Sequence, residues 1–216
     1  PTRLSNEKPT SSGPSSTLAL PGVYKVFMSK CVNGVITKLT EPVAFKAVVL
    51  GNTSLPAKDR AELVAFQKKV RELSRAVNAS SRLVNELTTR IKHYKIALKS
   101  ITAPEEELRK GIKEAELKIE NIRQALFGDQ IRRKLDKDTV PGLASRVNGI
   151  IRDQWRSTSA PTQTQRDAYN IAAEEFPTVL AKLKEVVKVD IPKIEKLLEE
   201  AGAPYTPGRL PEWKKK

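Results

Sequence analysis

Residues 63–101 read LVAFQKKVRELSRAVNASSRLVNELTTRIKHYKIALKSI, and the fold is decided there. Leu63, Phe66, Val70, Leu73, Val77, Ser80, Val84, Leu87, Ile91, Tyr94, Leu98 and Ile101 follow one another in alternating steps of three and four. A period of about 3.5 puts them on one stripe of a helix, with Ser80 its one polar interruption. A helix over residues 57–101, with Pro56 as its first-turn proline, would be about 65 Å long at 1.5 Å per residue. No isolated helix of ordinary composition holds in water at that length, so the stripe demands partner helices.

The chain supplies them downstream. Leu108, Ile112, Ala115, Ile119, Ile122 and Leu126 repeat the spacing, Thr102 with Glu105 reads as a capping box, and the short connection predicts an antiparallel hairpin. Gly128-Asp129 ends or interrupts this helix, and residues 131–137 are basic and weakly apolar. Val140-Pro141-Gly142 opens a shorter helix with Leu143, Val147, Ile150 and Trp155 near one face. After the polar loop 157–162, a last long helix carries Ala168, Ala172, Phe176, Val179, Leu183, Val187, Ile191, Ile194 and Leu198. Pro177 and Pro192 fall inside it. Each removes a backbone donor and crowds the preceding turn, so a kink or break is expected near both. Gly202 stops the helix, and residues 203–216 read as an extended tail ending in Lys214-Lys215-Lys216.

Upstream of the seam the pattern is different. Residues 1–17 are Ser, Thr, Pro and Gly with little apolar content, too little to offset the entropy of ordering, and read as a linker. Residues 18–50 read as a β element: a strand over 23–32, the turn Asn33-Gly34, a return strand over 35–39 and a third strand over 43–50. Asn-Gly favours a type I′ hairpin because both positions tolerate positive φ. So short a sheet is marginal alone and needs a partner sheet, a helix face, or the rest of a sandwich. The fold class is therefore mainly α: an antiparallel bundle of long heptad-patterned helices over 56–202, with a small N-terminal antiparallel β element.

The 39 Lys and Arg outnumber 25 Asp and Glu, leaving a net charge of +14 and an attraction to anionic surfaces. Aromatic residues are 5% of the chain, thin for a protein that stacks bases on rings, which disfavours nucleic acid. The single cysteine, Cys31, excludes an internal disulfide framework and a cysteine-rich zinc site. No apolar run reaches the roughly 20 residues that span a bilayer, so the chain reads as not transmembrane.

No catalytic constellation emerges. His93, the one histidine, stands beside the seam without an Asp, Glu, Cys or His at helical spacing to make it a ligand or base. Glu105, Glu106 and Glu107 open a helix, where the macrodipole favours negative charge, and Glu174-Glu175 and Glu199-Glu200 read as solvated faces. Cys31 lacks a base and reads as a small buried residue on a strand. There is no Gly-rich phosphate loop, nucleophile elbow or His-Glu-x-x-His helix, and so no cofactor or metal motif. What remains is a candidate anion-binding cluster, Arg132, Arg133, Lys134 and Lys137, with the terminal lysines.

Four stretches stand out, Leu20-Pro21-Gly22-Val23-Tyr24-Lys25-Val26; Leu63 to Val70; Gln154-Trp155 through Ser159-Ala160-Pro161-Thr162-Gln163-Thr164-Gln165; and Ala201-Gly202-Ala203-Pro204-Tyr205-Thr206-Pro207-Gly208-Arg209, and the Pro-Gly-x-Tyr turn and the Gln-Trp and Ala-Pro-Thr-Gln stretches among them go beyond generic coiled coil. Together they resemble the C-terminal region of secreted bacterial proteins built on a sortilin-like propeller with Asp-box repeats, often labelled glycosyl hydrolases. The resemblance covers most of the chain from residue 18. It implies that the β element is the last part of an immunoglobulin-like domain joining propeller to helices, and that the chain begins inside that sandwich. It also implies secretion to the periplasm or bacterial surface. Its partners would be the upstream propeller and immunoglobulin-like domain, with a protein or glycan as a further one. The propeller's marker, Ser-x-Asp-x-Gly-x-x-Trp, is absent, so hydrolase residues implied by the family label lie outside this chain. The expected function is a non-catalytic accessory module. The alternative is a free-standing basic helical protein that binds nucleic acid or an anionic surface.

Overall fold

A computed structural model describes residues 19–51, 55–102, 105–154 and 157–211; the expected linker 1–17 lies outside them. Among the described residues the helices are α1 Arg60–Lys99, α2 Glu106–Phe127, α3 Gln130–Lys134, α4 Leu143–Gln154, α5 Gln163–Glu185 and α6 Ile191–Glu200, with a π-helical turn, Val186–Asp190, joining the last two. The bundle is antiparallel and built on long helices, as the heptads require.

Helix α1 has 40 residues, about 60 Å. Leu63, Phe66, Val70, Val77, Ser80, Val84, Leu87, Ile91 and Tyr94 of the predicted seam are buried, joined by Gln67, Ser74 and Ala97, while Leu73, Leu98 and Ile101 pack at the margin. The helix starts beyond Pro56. Its N-cap is Asp59, whose carboxylate accepts from the amides of Ala61 and Glu62 at 2.8 and 3.0 Å, satisfying two donors that a helix start leaves open. Helix α2 buries all six predicted seam residues, but without the expected capping box: Glu105 is itself the N-cap, extended, and its side chain caps nothing.

Cross-links give the directions. The short link after α1 and the Lys95–Glu116 pair run α1 and α2 antiparallel. Lys118 reaches Glu185 and Asp190 while Lys193 reaches Glu107, so α2 is antiparallel to α5–α6. Glu62–Arg166 at one end and Arg90–Glu195 at the other make α1 and α5–α6 parallel. With 22 residues, α2 covers only part of α1. Helix α4 takes over, and Gln67 Nε2 donates to the Gln154 carbonyl at 3.0 Å near the far end. The molecule is thus a bundle of three columns whose middle column, α2 then α4, is broken by an excursion over residues 128–142. Its neck is closed by glycines: Gly128 turns at φ 76°, and a Cβ on Gly142 would collide with Gly128 N, Leu126 O and Phe127 C.

The third column begins with a capping box, Thr162 Oγ1 accepting from Gln165 N and Gln165 Oε1 accepting from Thr162 N. Helix α5 continues unbroken through Pro177. At Pro192 the interruption takes the form of the π-turn. The buried seam runs Ala172, Phe176, Val179, Leu183, Val186, then takes a step of five to Ile191, followed by Ile194 and Leu198. A turn widened to an i→i+5 bond, Ile191 N to Val186 O, absorbs that step and leaves Pro192 in the first turn of α6, where its missing N–H costs little. Val186, not the expected Val187, is the buried residue there.

The β element is a two-stranded ribbon rather than three strands side by side. Strands β1 Gly22–Val26, β2 Ser29–Val32, β3 Val35–Lys38 and β4 Val43–Ala47 pair β1 with β4 and β2 with β3, all antiparallel. Asn33 and Gly34 turn at φ 49° and 81°, as the hairpin needs. Between the two ladders, residues 39–42 face residues 27–28. This offset of two residues is bridged by Leu39 N to Met28 O and Met28 N to Thr40 Oγ1, and it includes Pro42, which has no donor to give a ladder.

Candidate interaction surface

The register of β1 and β4 sorts their side chains by face. Tyr24 stands opposite Phe45, Val26 opposite Val43 and Gly22 opposite Ala47, so one face is wholly apolar. The other carries Val23, Ala44, Lys25 and Lys46. Tyr24 and Phe45 stack at 5.9 Å between centroids, and the Tyr24 hydroxyl donates to the Leu20 carbonyl at 2.6 Å. Among the described residues nothing else covers this face: Val26 is 55%, Val43 64% and Phe45 52% exposed. Phe27, Met28 and Leu39 are exposed in the offset between ladders. An apolar sheet face left in water is the surface that packs about 10 Å from a second sheet in a sandwich, and the outer edges of β1 and β4 can each accept a further strand. At the ribbon's base, Leu20, Val48 and Leu50 border a cleft against Leu63, Gln67 and Thr158 of the bundle.

The predicted anion cluster is brought together on the excursion. Helix α3 carries Arg132, Arg133 and Lys134, with Lys137 just beyond, all exposed. Arg133 is partly committed, donating to the Phe127 carbonyl at 3.1 Å. Asp129 caps α3, accepting from Ile131 N and Arg132 N. Asp136 and Asp138 follow on the same excursion, so its net charge is small. Ile131, Leu135 and Val140 are exposed beside them.

Other residues singled out by sequence are scattered. His93 is half-buried on α1, away from any cluster of metal-ligating side chains among the described residues. Cys31, expected inside, is exposed on β2 opposite Ile36 because the ribbon is bare on both faces. Glu107 is not merely a dipole charge: Lys193 lies 2.7 Å away and holds its carboxyl below the usual range. Trp155 and the terminal lysines lie outside the described residues.

Two polar clusters at the far end of the bundle were not foreseen. Glu195 Oε1 accepts from Tyr94 Oη and Arg90 Nη2, each at 2.6 Å, across the α1–α6 seam. Burial, reinforced by the bond to Glu195, pushes the Tyr94 phenol well above its ordinary pKa; burial opposes the charge of Arg90, yet the hydrogen bond to Glu195 leaves its pKa raised. Beyond α6 the tail turns back instead of extending freely. Gly202 at φ 62° and the bond from Ala203 N to Leu198 O close a Schellman motif. Arg209, with 4% of its side chain exposed, pairs with Glu199 and lies 5.2 Å over the Tyr205 ring. These groups lock the tail onto the bundle. No helix among the described residues is long and apolar enough to cross a membrane. No family model matches the chain, and no curated protein and no solved structure matches it.

Proposed function

We propose that the chain is a non-catalytic accessory module of a secreted bacterial propeller protein, and that its ribbon completes an immunoglobulin-like sheet while its bundle projects as a rigid spacer or association surface. One observation carries this reading: the apolar face of Tyr24, Val26, Val43 and Phe45 is exposed on a ribbon that is marginal by itself, beside a bundle whose helices already cover one another. A sheet partner is the chemistry that such a face accepts. The parent's catalysis, if it has any, belongs to the propeller, and the bundle's cross-links are structural in kind: paired, and spread along the seams. Reading the native gene upstream of Pro1 tests the proposal. The expected result is a propeller with Ser-x-Asp-x-Gly-x-x-Trp repeats followed by the earlier strands of the sandwich. An upstream sequence with neither overturns it.

A further inference from the structure

The three seams of the bundle are closed in different ways. At the α1–α2 seam Lys95 pairs with Glu116, and at the seam of α2 with the third column Lys118 is shared by Glu185 and Asp190 while Lys193 meets Glu107. Among the described residues the ion pairs across the seam between the parallel columns, α1 and α5–α6, stand toward its ends, Glu62–Arg166 and Arg90–Glu195. Between those ties runs an apolar groove with Ala76, Ala79 and Leu83 on one wall and Leu180 on the other. Its only charged members are Lys184 and Lys188, and neither makes an ion pair among the described residues. The alanines keep one wall low, so another helix can approach closely, since interaxial distance follows side-chain size. Lys188 belongs to the π-turn, a feature often found at functional positions.

We propose that this groove receives an acidic amphipathic helix of another polypeptide, whose apolar stripe covers Ala76, Ala79, Leu83 and Leu180 and whose carboxylates pair with Lys184 and Lys188. The occupant is helical because a groove between helices offers no backbone edge to a strand, and recognition must come from side chains at helical spacing. It is acidic because the charged side chains lining the groove among the described residues are both lysines. A second copy of the chain does not fit, since a two-fold contact would set the same lysines against each other. This surface is separate from the ribbon, and its test does not depend on the ribbon's partner.

The test is an anisotropy titration of the full chain with a labelled peptide of about three heptads, leucine at the seam positions and glutamate on the flanks, run beside a lysine counterpart. Saturable one-to-one binding of the glutamate peptide alone is expected. Lys184→Glu/Lys188→Glu should weaken it at least about tenfold, whereas Lys92→Glu/Lys99→Glu, the same charge change elsewhere on α1, should leave it within about twofold. Ala79→Trp, which fills the groove at an exposed position without altering charge, should also abolish binding while leaving the melting curve in place. Absence of binding, equal binding of the lysine peptide, or equal loss in the Lys92/Lys99 variant overturns the proposal. So does self-association, by sedimentation, that Ala79→Trp removes.

Discussion

Leu87 lies fully buried on the α1 seam, and Leu87→Asp would set a carboxylate inside the hydrophobic core. The expected loss is about 4 kcal/mol or more, seen as a large fall in melting temperature by circular dichroism. An unchanged melt would show that the seam does not hold the bundle. Tyr94 gives a pH signature. Its phenol stays protonated in the folded chain above the pH, about 10, at which an unfolded tyrosine ionises, so the unfolded state releases its proton first and stability falls as pH rises past that point. Tyr94→Phe should cost about 1–2 kcal/mol at neutral pH, for the lost bond to Glu195, and should flatten the alkaline limb of stability against pH. Parallel alkaline limbs in the two proteins would contradict this. Seam residues such as Leu87 were legible because a period repeats and each member supports the next. Glu199 was read as a solvated face because its partner, Arg209, reaches it only through the turn at Gly202; a pair ten residues apart across a turn leaves no periodic trace.

Among the elements, the excursion makes the sharpest demand on one residue. Gly142→Ala drives a Cβ into the backbone of residues 126–128, and should cost about 2–4 kcal/mol or open the neck. Gly149→Ala, inside the helix that follows and with nothing within 4 Å of the added Cβ, should instead stabilise by about 0.5–1 kcal/mol. Thermal melts of the two variants check the contrast, and a mild effect at Gly142 would remove the close neck. The long helices were readable as helices, the five-residue α3 was not, and boundaries were less so throughout. The capping box expected at Thr102 and Glu105 is realised instead at Thr162 and Gln165, which carry an equivalent signature. The motif supplies partners for a helix start, but the backbone of the preceding residue decides where the start falls. The five-residue step between Val186 and Ile191 was hidden because a regular helical period passes through Val187 equally well; only the π-turn distinguishes them. The ribbon's strands were visible in composition. Their pairing was not, because the two-residue offset around Pro42 decides which strand meets which.

The bundle runs the length of α1, about 60 Å, with the ribbon beside the end where α1 begins. Far-ultraviolet circular dichroism should show well over half of the residues helical; a strand-dominated spectrum would be incompatible with the bundle. The basic cluster shares its excursion with Asp129, Asp136 and Asp138, which offset most of its charge. The ribbon and bundle differ in what they lack. The bundle buries its seams in one continuous core, while the ribbon leaves its apolar face in water. If that face awaits a sheet, the two parts must respond differently when one is supplied. The direct measurement is hydrogen exchange by mass spectrometry on the chain alone and on a version extended upstream through the immunoglobulin-like strands proposed above. Amides of residues 22–47 should exchange rapidly in the chain alone and slow by at least about tenfold in the extended protein, with α1 and α2 protected equally in both. Equal protection of the ribbon in the two samples would contradict the account, since the sheet would then be complete as it stands.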